Sequence, residues 1–532
     1  MPQSLTPAQT PTRKRPHVRV RRTQRATRSQ AEQLSEAILT AGATEAAEAK
    51  AAAALTEFDL SPAEVQAWVA DCHARLQKVN QDPQQNLGHI EEELAHANEL
   101  QRLLAQRSAQ VKANAVPCQC PQCHCPLVHQ RWLGRTVTGR FGPLRIYRRH
   151  GQCPACEQWC FPADLALGLG SSTASPYVQE FAALLVSKMP AEQAHAVAVR
   201  LGLPLSRATL HREACAQGRK AQALASERTA QLDTWESLTA LARQSEGPPA
   251  QPYTLVIEID AWNIRERDDW GQTEALRLAG QEPQRWHWVY VGTVFRLDHC
   301  GQTAGGRSVI SQRGYVATRA GIEPLLRQLY REAIARGLGQ ATRVLVLADG
   351  AAWIWNAVAD RFPKADQRLD LFHADEHLWA VAHDLYGRNT PEARAWVQPL
   401  LDQLRRDETP QVITALTDLK SRLTQALQEK VQKQIDYFDD HAKRMQYRAI
   451  IEARQACKAK RATREQQILA QEPLGSGAIE STCRQYQCRF KRTGQFWTLP
   501  GDEALLGLET LWRNNRWDQL FPHAQSAPPH LN

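Results

Sequence analysis

Two acidic residues of this chain stand at the ends of runs that should be buried. Asp260 closes 253-YTLVIEID-260, and Asp349 falls at the end of 343-RVLVLADG-350. Each run reads as a buried strand. Each carboxylate therefore sits where its strand leaves the core, which is costly unless water or a cation meets the charge. A third acid, Glu480, falls in the first turn of a helix opened by the glycine-rich turn of 474-LGSGAIEST-482. Three carboxylates converging from separate elements can hold two Mg2+ or Mn2+ ions about 4 Å apart. That arrangement activates a nucleophile and steadies the leaving oxygen in attack on a phosphodiester. Glu258, two residues before Asp260 on the same strand face, is an alternative partner. Asp268 and Asp269 in 265-RERDDW-270 lie in a polar run with no apolar strand behind them, and are read as decoys.

A second chemistry is written in cysteine. Seven of the 13 cysteines fall between residues 118 and 160, in 118-CQCPQCHC-125 and 153-CPACEQWC-160. Two Cys-x-x-Cys knuckles flanking 131-RWLGRTVTGRFGPLRIYRR-149, which alternates like a hairpin around Gly-Pro, predict a zinc ribbon. Cys120, Cys123, Cys153 and Cys156 are the expected Zn2+ ligands. Cys118, Cys125 and Cys160 are spare, able to substitute or to serve a second ion. Arg131, Arg135, Arg140, Arg145, Arg148 and Arg149 lie on the hairpin with no acid among them, giving it a basic surface suited to DNA.

The carboxylates need a scaffold, and the pattern from residue 253 supplies an α/β one. Strands at 253–260, 286–297 and 308–318 precede a helix at 321–337. Strand 343–350, a Trp-rich helix, strand 367–372 and a helix at 373–387 follow. That order is the one expected of a ribonuclease-H-like catalytic domain. Residues 250–387 form its first part, 388–472 read as a large all-α insertion, and 473–532 bring the final helix and the C-terminal segment.

Upstream, residues 31–112 read as a helical arm of unassigned role, 113–165 as the ribbon, and 171–225 as helical. Within the last, 191-AEQAHAVAVRLGLPLSRATLHREACAQ-217 has helix-turn-helix grammar. Ser206 is the N-cap, and Arg207, Thr209, His211 and Arg212 come early on the second helix. An ordinary helical hairpin would look the same. Residues 1–30 carry eight basic residues and no acids, which leaves about +1 of the net +9 for the rest of the chain. Such a segment should be disordered and could ride on phosphates. No apolar run is long enough for a membrane span and no signal peptide is evident. A cytoplasmic, nucleoid-associated location is expected.

The set Ile259-Asp260, 349-DGAAWIW-355, 370-DLFHADEH-377 and 475-GSGAIES-481 followed by 489-RFKRTGQFW-497 resembles bacterial insertion-sequence transposases of the DDE type, most closely the ISKra type. The likeness covers about residues 250–520. It implies a catalytic Asp260–Asp349–Glu480 triad with the insertion between its last two members. It also implies that Asp370 and His373 match an Asp-x-x-His motif that orients DNA. Arg484, Arg489, Lys491 and Arg492 are expected to meet the phosphate backbone. Double-stranded DNA and at least a homodimer follow as partners, since two element ends must be joined.

Two other readings compete. His373, Glu376 and His377 fit His-x-x-Glu-His, the zinc pattern of inverted zincin proteases. A DNA-binding regulator with a dead catalytic fold is the other; the presence of all three carboxylates argues against it.

Overall fold

The computed structural model describes residues 47, 60–203, 205–244, 252–267, 273–282, 285–305 and 308–522. The basic tail, most of the alanine-rich run 41–54, residues 245–251 of the linker expected over 241–252, Asp268 and Asp269 lie outside the described residues. Two compact units divide the chain. Among the described residues, one takes 47, 60, 104–136 and 145–167, and the other 61–103, 137–144 and 168–522. No described helix is long and apolar enough to cross a membrane.

The first unit holds most of a three-stranded sheet of β1 (Val128–Gly139), β2 (Gly142–Gln152) and β3 (Trp159–Cys160), in that order, whose hairpin tip, 137–144, falls to the second unit. The turn falls at Arg140-Phe141, just before the predicted Gly-Pro, and Gly142 follows it with φ +120. The two cysteine knuckles repeat one geometry. The His124 amide donates to the Cys120 carbonyl and the Glu157 amide to the Cys153 carbonyl, both at 2.9 Å. His124 and Glu157 each have φ 58, the left-handed step that folds the chain back toward its cysteines.

Of the helical arm expected over 31–112, residues 31–59 other than 47 lie outside the described residues; from 60 on it is helical, as Pro62–Gln81, Leu87–His96 and the start of Glu99–Ala115 in the second unit. A helical group follows: α1 (Pro176–Lys188), α2 (Ala191–Arg200) and α3 (Arg207–Ala230). Ser206 caps α3, accepting from the Thr209 amide at 3.1 Å. Leu210, Ala214 and Ala221 of α3 are buried. At Gly218 a Cβ would collide with the Ala504 carbonyl, so α3 lies against another backbone along its middle turns.

The main sheet contains β4 (Thr254–Arg265), β5 (Trp286–Arg296), β6 (Arg313–Thr318), β7 (Arg343–Ala348) and β8 (Asp366–Leu369), in the order β8-β7-β4-β5-β6. β4, β5 and β6 pair antiparallel, whereas β7 and β8 run parallel to β4. Two expectations are corrected here. The predicted strand 308–318 is broken. Ser308–Ile310 pairs with Cys300–Gln302 in a separate ribbon, and only Arg313–Thr318 joins the sheet. The first strand does not end at Asp260 but continues to Arg265, because β5 pairs with it over its whole length from Leu255.

The sheet lies between two apolar clusters, as strand alternation requires. Leu255, Ile257 and Ile259 face α4 (Ile322–Ala335), α5 (Ala352–Arg361) and α6 (Leu371–Tyr386). The region 388–472 is all helix in its regular elements, including α7 (Gln425–His441). Its Val397, Leu401, Leu416 and Phe438 share that same cluster, so this helical region is packed into the core beside the sheet rather than appended to it. On the opposite face Trp262 and Ile264 meet α1 to α3, α8 (Gly477–Phe490) and α9 (Leu499–Arg513).

Candidate active site and metal centre

Parallel pairing of β4 with β7 stops at Glu258↔Leu347. Two residues further along each strand stand Asp260 and Asp349. The two acids therefore stand where the two strands part, not where the first strand stops. Even-numbered residues of β4 face the α8 side, and Asp260 is among them, with Trp262 and Ile264 beyond it. Its Oδ1 accepts the Ala261 amide at 2.6 Å. Asp349 Oδ1 accepts the Ala351 amide at 2.9 Å, so a nearby backbone amide fixes each carboxylate through one oxygen.

Glu480 lies 131 residues beyond Asp349, and two buried carboxylates hold its helix in place. Asp370 is the N-cap of α6, its Oδ1 accepting from the Phe372 and His373 amides. Its Oδ2 accepts the Ser476 amide at 2.6 Å and the Ser476 hydroxyl at 2.5 Å. Glu258 Oε2 accepts the Ile479 amide at 2.6 Å. The first-turn amides of a helix have no intrahelical acceptor and carry its positive dipole end, so two acids are well matched to them. Asp370 is held down at about 2, burial being outweighed by the His373 and Ser476 contacts. Burial pushes Glu258 up to about 8, against the Ile479 amide and the Arg313 charge, which favour its ionised form. The alternative partner is thus a positioning group. Asp370, expected with His373 to orient DNA, is 2% exposed and contacts the Ser476 turn and His373.

Asp260, Asp349 and Glu480 are brought within electrostatic reach of one another. Burial, followed by the Asp349 charge, raises the Asp260 carboxyl; burial, followed by the Asp260 charge, raises that of Glu480. Such mutual repulsion is what a divalent cation relieves, and the donor set is the hard oxygen type suited to Mg2+ or Mn2+. Among the described residues, only the four cysteines form a group of three or more ligand-type side chains with donor atoms all within 4.8 Å of one another. Carboxylates bound to opposite ions of a pair about 4 Å apart need not meet that limit.

His373 stands between the acids, with Nδ1 3.5 Å from Asp370 Oδ2 and Nε2 3.9 Å from Glu480 Oε1. The Asp370 carboxylate lifts its imidazolium to about 9. Its contribution to stability is therefore complete below the unperturbed value of about 6.5 and is lost as pH rises through about 9. DNA affinity measured without divalent cations should weaken as pH rises through about 9. The difference between wild type and His373→Ala should vanish above that pH; a constant difference across the range would contradict a charged role.

His377, the second histidine of the zincin pattern, turns away. Its ring stacks on Tyr437 of α7 with centroids 3.6 Å apart, and Nδ1 meets Gln434 Oε1 at 2.5 Å. His373 and His377 thus serve different partners. Tyr437 and Cys483 were missed by sequence reasoning. Tyr437 fills the space beside Asp349, since a Cβ on Gly350 would strike its ring. Cys483, one turn after Glu480, lies against Asp260 and is pushed well up by burial. The glycine directly after Asp349 was the readable sign of a close approach. Glu472, the other acid near Glu480, is paired with Arg343 and Arg368.

The expected phosphate-facing cations divide. Arg484, Lys491 and Arg492 are exposed. Arg489 is corrected to a structural role. It is 6% exposed and donates twice to the Val186 carbonyl, at 3.1 and 2.7 Å. On α3 the side chains of Arg207 and Arg212 are exposed, with acidic neighbours Glu192 and Glu213 at 3.5 and 3.3 Å. Thr209 is half-buried beside the Ser206 cap.

In the first unit Cys120, Cys123, Cys153 and Cys156 gather as expected, placed to hold a metal ion. The Cys120 and Cys156 sulfurs are 3.7 Å apart. Tetrahedral zinc with bonds of about 2.3 Å requires about 3.8 Å between sulfurs, so the cage fits without closing into a disulfide. Amides of Cys123 and Gln122 aimed at Cys120 hold its thiol down at about 6, and those of Cys156 and Ala155 act likewise on Cys153. Cys118, Cys125 and Cys160 pack around the cage but are not in it. The basic hairpin surface is smaller than the sequence suggested. Arg135 and Arg148 both pair with Asp164, at 2.7 and 2.6 Å, an acid that lies beyond the hairpin.

No protein-family model matches the chain, and no curated protein is similar to it.

Proposed function

We propose that this chain is a DNA transposase of the DDE, ISKra-like kind, cutting and rejoining DNA at a two-metal centre of Asp260, Asp349 and Glu480. The observation that carries the reading is their placement. Asp260 and Asp349 stand abreast where β4 and β7 part, and Glu480 rides on a helix that two buried carboxylates fasten over them. Support for a ribonuclease-H-like domain comes from three antiparallel strands followed by two parallel to the first, with the first strand central. Mg2+ or Mn2+, when bound, lowers the barrier to water or hydroxyl attack on phosphorus and stabilises the oxygen that leaves.

The chain's own residues do the rest. Asp260, Asp349 and Glu480 hold the ions. Asp370 keeps His373 charged, and His373 offers a cation to the phosphate next to Glu480. Arg484, Lys491 and Arg492 continue the positive surface. The zinc ribbon and the α2–α3 helix-turn-helix, led by Arg207, Thr209 and Arg212, read the element ends, and the protein acts as a homodimer or larger on the nucleoid.

Incubation with supercoiled plasmid tests this. Mg2+ or Mn2+ should yield nicked and linear DNA with 3′-hydroxyl ends, and EDTA should abolish it. Intact plasmid under all metals would favour a DNA-binding regulator, and zinc-dependent proteolysis would favour the zincin reading.

A further inference from the structure

The β4–β5 hairpin continues beyond Asp260, and its extension carries two large side chains that are half exposed. Trp286 and Trp288 are 51% and 52% exposed. They are two residues apart on β5, hence on one face, paired across to Arg265 and Asn263. Leaving two indoles in water on one strand face contributes nothing to folding, and an adjacent exposed pair marks a contact surface more readily than a single one does. Cations accompany them. The Arg265 guanidinium is 5.8 Å and the Lys491 ammonium 6.0 Å from the Trp286 ring, and Arg265 is also 4.7 Å from the Phe496 ring.

This surface is tied to the catalytic helix. The chain leaving α8 runs back along the hairpin, where the Trp497 amide donates to the Arg265 carbonyl at 3.0 Å and the Arg267 amide to the Trp497 carbonyl at 2.8 Å. Arg267, Lys491 and Arg492 are exposed. Among the described residues of the segment the one acid, Glu266, is 4% exposed and turned inward onto Arg319 and His287. Asn263, opposite Trp288, is three residues from Asp260, about 10 Å at strand spacing.

We propose that Trp286 and Trp288, with Arg265 and Lys491, form a stacking platform for unpaired DNA bases beside the catalytic centre. Aromatic faces alternating with cations suit a single strand, whose bases expose their π faces and whose phosphates are within reach; a blunt duplex hides those faces. The platform rests on the strand-cleavage reading and deepens it by naming single-stranded DNA at the processed end as part of the substrate.

The test uses the full chain in EDTA, so that binding is measured without cleavage, with a labelled oligo-dT of about 12 nucleotides and a blunt duplex as separate probes. Trp286→Ala/Trp288→Ala should weaken oligo-dT binding by about tenfold or more and change duplex binding less than twofold. Trp286→Phe/Trp288→Phe should retain most oligo-dT affinity, which separates stacking from misfolding. Equal losses on both probes, or no loss on either, overturn the platform. If this contrast appears in a protein that never cuts plasmid, the cleavage reading fails and the platform stands. If plasmid is cut and the contrast is absent, the platform alone fails.

Discussion

Glu480→Gln should bind DNA as the wild type does and cut it at least about a thousandfold more slowly. Glutamine keeps the side chain's length and leaves the Glu258 and Asp370 contacts to α8 untouched, so the fold has no reason to change. It removes a charge that offsets the metal ions, and about 4 kcal/mol of lost transition-state stabilisation corresponds to that factor. Binding survives because exposed cations meeting phosphates supply most of the affinity. Asp260→Asn and Asp349→Asn should behave alike. A double variant should lose little more than a single one, since ligands of one centre act as a unit. Asp268→Asn, in the polar run, should cut normally. Single-turnover cleavage beside anisotropy binding separates these effects, and near wild-type cutting by Glu480→Gln would remove Glu480 from the centre.

Cys153→Ser should strip the first unit of its metal and unfold it. That unit has a small apolar cluster, Leu127 with the cysteines themselves, and structural zinc supplies on the order of 10 kcal/mol to such domains. Metal analysis should give one zinc per wild-type chain and almost none in the variant. Limited proteolysis should then open residues 104–136 and 145–167 while the second unit resists. Cys118→Ser, outside the cage, should keep its zinc. A variant that retains full zinc, or a wild type with paired disulfides, would contradict the assignment.

What was legible in the sequence was local. Apolar runs marked β4, β5, β7 and the strand into Asp370, and knuckle spacing marked the cysteine cage, because both patterns are written in neighbouring residues. The end of the first strand was misjudged because an acid after an apolar run looks like a boundary. Only cross-strand pairing with β5 shows that β4 continues. Roles set by distant partners were hidden for the same reason. Arg489 looked like a phosphate ligand until Val186 claimed it, Arg135 and Arg148 looked free without Asp164, and the contact of Asp370 with Ser476, 106 residues later, had no local sign. Tyr437 comes from an insertion whose pattern says only that it is helical.

The most direct test of the central claim is the anomalous scattering of Mn2+ in crystals of the full chain. Two peaks about 4 Å apart should lie among Asp260, Asp349 and Glu480, both lost in Asp260→Asn. Mn2+ at any other carboxylates, or none beside Asp260, would contradict it.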